Sequence, residues 1–85
     1  MFICEVIIEC QSGLHARPAK LLALAAQQFS ADIMIQFGER QALGKSIISL
    51  LQLGAPKGSL LRISAEGADE VEAAKTLGEM IKTFD

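Results

Sequence analysis

The sequence predicts an α+β protein of two layers, an antiparallel sheet with helices packed against one side. Three observations carry this expectation. Short runs rich in Ile and Val alternate apolar with polar residues, the period of a half-buried strand. Other stretches repeat apolar residues every three or four positions, the period of a helix with one buried stripe. The elements follow one another as β-α-β-β-α-β-α, and strands with a single apolar face need cover on that face only. The 85 residues suit one small domain spanning positions 1–85.

The first strand is expected over residues 2–9, where Glu5 and Glu9 alternate with a face made of Phe2, Cys4, Val6 and Ile8. Gln11-Ser12-Gly13 reads as a loop. A helix follows from about Ala16 to Gln28, with Leu21, Leu22, Ala25, Ala26 and Phe29 as its expected buried stripe and Arg17, Lys20, Gln27 and Gln28 on the wet side. Pro18 fits its first turn, where a missing N–H costs nothing. The second strand is expected over Asp32 to Phe37. Gly38-Glu39 then turns the chain into a short partner strand, Arg40 to Leu43. Ser46 is a good Ncap for a short helix from Ile47 to about Leu53, with Gly54 as its natural stop. Ser59 to Glu66 forms the last strand, with Leu61, Ile63 and Ala65 facing inward. Asp69 is placed to cap a final helix whose stripe would be Val71, Ala74, Leu77, Ile81 and Phe84, with Glu70 and Glu72 in its dipole-favoured first turn.

Composition narrows the function classes. A 51% hydrophobic content supports a core without metals or disulfides. There is no Trp or Tyr, and the net charge is −2, which argues against a nucleic-acid surface. Cys4 and Cys10 on one strand would stand roughly 20 Å apart, beyond disulfide reach, and should be reduced and at least partly buried. Two cysteines and one distant histidine make a poor metal set. The N-terminal stretch lacks a basic n-region, and no segment approaches the roughly 18 apolar residues of a membrane span. A soluble protein of a reducing compartment is expected.

The chemistry-bearing stretch is Gly13-Leu14-His15-Ala16-Arg17-Pro18-Ala19, which contains the only histidine. His15 should sit near the Ncap of the first helix, where free amides and the positive end of the helix dipole favour an anion. Imidazole is substantially neutral near pH 7 and can attack an electrophilic phosphorus. The amides of Ala16 and Arg17 and the Arg17 guanidinium could then hold the phosphoryl oxygens. Local chemistry leaves a second reading equally open, in which His15 merely caps a helix and Arg17 is a solvated surface charge. No Walker-type loop is present, and nothing in the spacing suggests a Cys–His pair or a Ser-His-Asp triad.

The whole chain resembles the HPr family, the histidine-containing phosphocarriers of the bacterial phosphoenolpyruvate-dependent sugar phosphotransferase system. The resemblance lies in G-L-H-A-R-P-A at 13–19, K-S-I at 45–47, L-G at 53–54, K-G at 57–58 and I-S-A-E-G-A-D-E at 63–70. It implies an open-faced β-sandwich with four antiparallel strands in the order 1-4-2-3 and three helices on one face. It implies that His15 accepts a phosphoryl group on Nδ1 from phosphorylated enzyme I, whose donor is phosphoenolpyruvate, and passes it to enzyme II A domains. Arg17 would stabilise the phosphate. Such a protein is a transfer intermediate and not an enzyme, needs no cofactor or metal, and acts as a cytoplasmic monomer without nucleic acid or membrane insertion.

The resemblance also places a protein-docking surface on the short helix. Ile47, Ile48 and Leu51 are expected at the surface, Leu50 and Leu53 in the core, and Lys20 and Lys45 with Arg17 on a basic rim. Leu24, Gln27 and Ser49 stand where many relatives carry lysines, so this rim is thinner, and Pro56 is a further local difference. Ser46 carries two readings. It is an Ncap, and in many Gram-positive relatives the matching serine is phosphorylated by HPr kinase/phosphorylase, which would add a catabolite-control transcription regulator to the partners. Relatives without that kinase also have the serine, so its presence does not decide between a carrier alone and a regulatory docking module switched at Ser46.

Overall fold

The computed structural model describes residues 1–11 and 13–84, so the loop reading at Ser12 lies outside the described residues. Among them the elements are β1 (Phe2–Ile7), α1 (Ala16–Ala26), β2 (Asp32–Phe37), β3 (Arg40–Leu43), α2 (Ile47–Leu53), β4 (Leu60–Glu66) and α3 (Glu70–Thr83). The strands form one antiparallel sheet in the order β1-β4-β2-β3. Its helices lie on one face, the open-faced sandwich expected from the resemblance.

Register explains why only one face is covered. Val6 stands opposite Leu61, Cys4 opposite Ile63, and Ile35 opposite both Ile63 and Ala42, so inward residues meet inward residues across every ladder. These join Leu22, Leu50, Leu53, Leu77 and Ile81 of the helices in a single core. The opposite face pairs Glu5 with Arg62, Ile7 with Leu60 and Met34 with Leu43. It is solvated, and a Glu5–Arg62 ion pair of 3.2 Å lies on it. Both cysteines are free thiols, Cys10 buried and Cys4 half-buried.

The expected boundaries shift where ladders or helical bonds give way. β1 ends at Ile7 and not at residue 9, and β4 starts at Leu60 and not at Ser59. The backbone beyond Ile7 keeps contact through Ile8 N–H to the Ser59 carbonyl and Gly58 N–H to the Ile8 carbonyl, at 3.0 and 2.8 Å. α1 stops at Ala26, two residues early, because its last turn tightens. The N–H groups of Gln28 and Phe29 bond carbonyls three residues back, on Ala25 and Ala26.

Both long helices are rotated from the stripes expected of them. α1 buries Pro18, Ala19, Leu22, Ala23 and Ala26, while Leu21 is exposed and Ala25 and Phe29 are only half-buried. α3 buries Ala73, Ala74, Leu77, Gly78 and Ile81, leaving Val71 exposed and Phe84 half-buried. Leu22 and Ala26 of α1 and Ala74, Leu77 and Ile81 of α3 are buried as expected, while the small residues Ala19, Ala23, Ala73 and Gly78 join them and permit close approach, and Leu21, Val71 and the half-buried Ala25, Phe29 and Phe84 lie at the margin or outside.

Asp69 also departs from its expected role. It precedes α3 as expected, but its carboxylate does not cap that helix. It reaches across the fold and accepts hydrogen bonds from the N–H groups of Ser30 and Ala31, both at 2.8 Å. The start of α3 is fastened by Glu70 instead, which accepts from Gly67 N–H at 3.1 Å and pairs with the Met1 amino group at 3.2 Å. Bonding from Ser30 N–H, above all, holds the Asp69 carboxyl below its ordinary pKa. A carboxyl with a depressed pKa in the folded state stabilises above its unfolded value, and that contribution is lost as pH falls through the folded one. Asp69→Asn is therefore expected to be less stable than the parent at neutral pH, with the gap closing below about pH 4. Urea midpoints across that range would check it, and a gap independent of pH would refute the assignment.

Candidate functional site

His15 owes its position to the backbone before it. Gly13 has φ of +71°, a conformation that suits glycine, and its Cα side lies directly against Ala55 and Pro56. A Cβ built there would come within 2.6 Å of the Ala55 carbonyl oxygen and 2.8 Å of Pro56 Cα. Leu14 N–H then donates to the Ala55 carbonyl at 2.9 Å, and the Leu14 side chain is buried. Pro56, which the sequence left without a role, thus forms part of the wall that Gly13 packs on.

The chain emerges from this clamp at His15, which is extended (φ −112°, ψ −167°) and occupies the Ncap of α1. Its side chain makes no capping hydrogen bond and is exposed. The His15 carbonyl accepts from Ala19 N–H at 2.9 Å, which starts the helix. Pro18 has no N–H to satisfy. Among the described residues none accepts a hydrogen bond from the N–H of Ala16 or Arg17. Both Ala16 and Arg17 are exposed. The positive end of α1 therefore offers two amides beside an accessible imidazole, with the Arg17 side chain on the first turn.

α2 lies beside this mouth, because the Gly54–Pro56 segment that leaves it is the one that grips Gly13 and Leu14. Ser46 is its Ncap, and the Ser46 hydroxyl accepts from Ser49 N–H at 3.2 Å. Gly54 ends it in the left-handed conformation, φ +63° and ψ 28°. Leu50 and Leu53 are core, while Ile48 and Leu51 are exposed, as expected of a docking face. Ile47 departs from that expectation, being half-buried and packed on the core.

Lys45 departs further. It is half-buried, and its ammonium donates to the Phe29 carbonyl at 2.8 Å. In return Gln27 Nε2 donates to the Lys45 carbonyl at 3.0 Å. This reciprocal pair ties the end of α1 to the start of α2, with a cation near a helix C-terminus. Lys45 thus also serves as a structural tie, its ammonium keeping its charge and two further N–H donors, and Lys20 is the more exposed lysine of the expected rim. Ser49 also has a use that sequence reasoning missed, since its hydroxyl accepts from Leu43 N–H at 2.8 Å and joins α2 to β3. Leu21 and Leu24 are exposed on α1. The signal for them was legible, since they stand four and seven residues beyond Arg17, on the same helical face.

The site is a surface and not a pocket. A hollow of about 460 Å³ opens on the bare face of the sheet, walled by residues such as Met34, Leu43 and Ser64, but neither His15 nor Arg17 lines it. Among the described residues no cluster of three or more His, Cys, Asp or Glu is placed to hold a metal ion. No helix of the described residues is long and apolar enough to cross a membrane.

Comparison with known proteins agrees with this geometry. The family model described as "PTS HPr component phosphorylation site" matches residues 3–83. The chain is 40% identical to the phosphocarrier protein HPr of Borreliella burgdorferi, over 94% of this chain and 93% of that one. It is 36% identical to the HPr of Haemophilus influenzae over the full length of both. A crystal structure of HPr-C-His from Thermoanaerobacter tengcongensis superposes with a TM-score of 0.90 at 38% identity, covering 95% of this chain and 91% of the other. Fold and relatives together define a phosphocarrier rather than a turnover enzyme. The chain belongs to the HPr family of the phosphotransferase system.

The clamp beneath His15 yields a direct expectation. Gly13→Ala must either strain φ or displace Ala55 and Pro56, and is expected to cost at least about 1 kcal/mol of stability in urea unfolding. An unchanged unfolding midpoint would show that the contact does not constrain the loop.

Proposed function

We propose that this chain carries a phosphoryl group on Nδ1 of His15, receiving it from phosphorylated enzyme I and delivering it to enzyme II A domains. The observation that carries the reading is the exposed imidazole, which caps nothing, beside the amides of Ala16 and Arg17, which find no acceptor among the described residues. In the first step the lone pair of neutral Nδ1 attacks phosphorus in line, the P–N bond to the enzyme I histidine breaks, and the Nε2–H of His15 stays in place. The amides of Ala16 and Arg17 and the Arg17 guanidinium share the charge of the phosphoryl oxygens. The second step is the reverse attack by the acceptor, which restores His15, so the chain is unchanged by a cycle. A cytoplasmic, monomeric carrier without a cofactor suits such partners, and an exposed site suits reaction centres carried on other proteins.

Enzyme I and radiolabelled phosphoenolpyruvate are expected to place an acid-labile, base-stable label on this chain. His15→Ala should abolish it. Arg17→Ala should slow transfer by roughly tenfold or more while leaving the fold intact, the loss of one charge-stabilising donor. Label persisting in His15→Ala would contradict the reading.

A second function at Ser46 is supported by one feature. The hydroxyl is half-exposed at the Ncap of α2, where a phosphate would face free amides without entering the core, and its charge would stand next to Ile48 and Leu51. HPr kinase/phosphorylase with ATP is then expected to give an acid-stable label that Ser46→Ala removes, and the modified chain would be the form that engages a catabolite-control transcription regulator. Absence of that label would leave Ser46 as a helix cap.

A further inference from the structure

We infer that the bare face of the sheet is a docking surface of its own, and that its occupant is a protein segment presenting a lysine or arginine beside an apolar side chain. Neither His15 nor Arg17 lines the hollow on this face. One protein can therefore hold the chain by its sheet while His15 stays accessible to others.

Register arranges the outward residues of the sheet in rows. The first row is acidic, with Glu66 directly opposite Asp32. The next is mostly apolar and runs Ile3, Ser64, Met34, Leu43 from β1 to β3. The third contains the Glu5–Arg62 ion pair, so the one arginine of this face is already matched. The hollow of about 460 Å³ lies over the first two rows, a volume suited to a few side chains. Leu43 is 58% exposed beside it and Met1 70%, while Met34 is half-buried. The helices lie on the other side of the sheet, so this hydrocarbon stays uncovered by the fold.

Charge names the occupant. Carboxylates placed directly opposite on neighbouring strands repel. Among the described residues neither Asp32 nor Glu66 makes an ion pair. The Met1 amino group pairs with Glu70 instead. Lys45 flanks the hollow and stays charged, but its ammonium lies on the Phe29 carbonyl at 2.8 Å and outside ion-pair distance of both carboxylates. The hollow thus joins a net negative rim to an apolar floor.

An ammonium or guanidinium set between Asp32 and Glu66 relieves their repulsion and finds charged acceptors. An apolar neighbour on the same segment gains by burial on Met34 and Leu43. The two rows stand two residues apart along the strands, about 6.6 Å. Alternate side chains of an extended segment have that same spacing, so a basic residue and an apolar one two positions apart fit both rows at once. A segment with a carboxylate in place of the cation meets like charge.

The test titrates the full chain with the peptide acetyl-Leu-Thr-Lys-Thr-Leu-amide, read by amide proton–nitrogen spectra. Saturable shifts are expected at Met34, Leu43, Ser64 and Glu66, with half-saturation near about 1 mM and the amides of Ala16 and Arg17 unmoved. The same peptide with Glu in place of its lysine should bind at least about tenfold more weakly. Asp32→Asn with Glu66→Gln is expected to weaken binding of the lysine peptide about tenfold, while its thermal midpoint equals or exceeds the parent's because a repulsion is gone. Leu43→Thr, at an exposed strand position, should weaken binding at least about threefold without unfolding the chain. Equal binding of the two peptides, no saturation below about 10 mM, or shifts centred on α1 and α2 would overturn the inference. Sedimentation showing that the parent self-associates through these same amides would give the face to a second copy and overturn it as well.

Discussion

The contact between Gly13-Leu14 and Ala55-Pro56 is the constraint on which the site depends. It joins the loop after β1 to the segment leaving α2 by a backbone approach that leaves no room for a Cβ on Gly13 and by the Leu14 hydrogen bond to Ala55. Two consequences follow from that one contact. His15 emerges extended at the mouth of α1, with the Ala16 and Arg17 amides directed to the same region. The exposed side of α2 is brought next to that mouth. The proposed phosphoryl acceptor and the proposed docking surface are thus set by a single backbone junction and not by side-chain packing around a pocket.

The rest of the fold holds this junction steady at points remote from it. Asp69 grips the turn after α1 through Ser30 and Ala31, and Lys45 with Gln27 ties that same turn to the start of α2. α1 is consequently fixed at both ends, by the Gly13 clamp at its start and by these bonds at its finish. The sheet contributes by register, since every inward residue meets another inward residue, and the helices have one face on which to lie.

Much of this was legible in the sequence. Strand alternation fixed the faces of the sheet, and Ser46 and Gly54 marked both ends of α2 with the chemistry that caps require. His15 at the Ncap followed from Pro18 three residues on. The resemblance supplied the strand order, which alternation alone does not specify. What escaped was tertiary. Asp69 has the sequence signature of a local cap, while its actual partners lie nearly forty residues away. Hydrophobicity alone places Leu21 in the core; its spacing from Arg17 marks the exposed face, and α1 packs through Ala19, Ala23 and Ala26, where small side chains allow close approach. Nothing in the neighbours of Lys45 announces that its ammonium finds the Phe29 carbonyl.

The central claim is that the N-terminus of α1 receives the phosphoryl group carried by His15. Amide proton–nitrogen spectra of the chain before and after phosphorylation by enzyme I and phosphoenolpyruvate test it most directly. The largest downfield shifts are expected at the amides of Ala16 and Arg17, which gain charged acceptors, with the pattern elsewhere in α1 and in the sheet little altered. Shifts concentrated at Ser46 and Ser49, or spread evenly without a maximum at Ala16 and Arg17, would contradict the account.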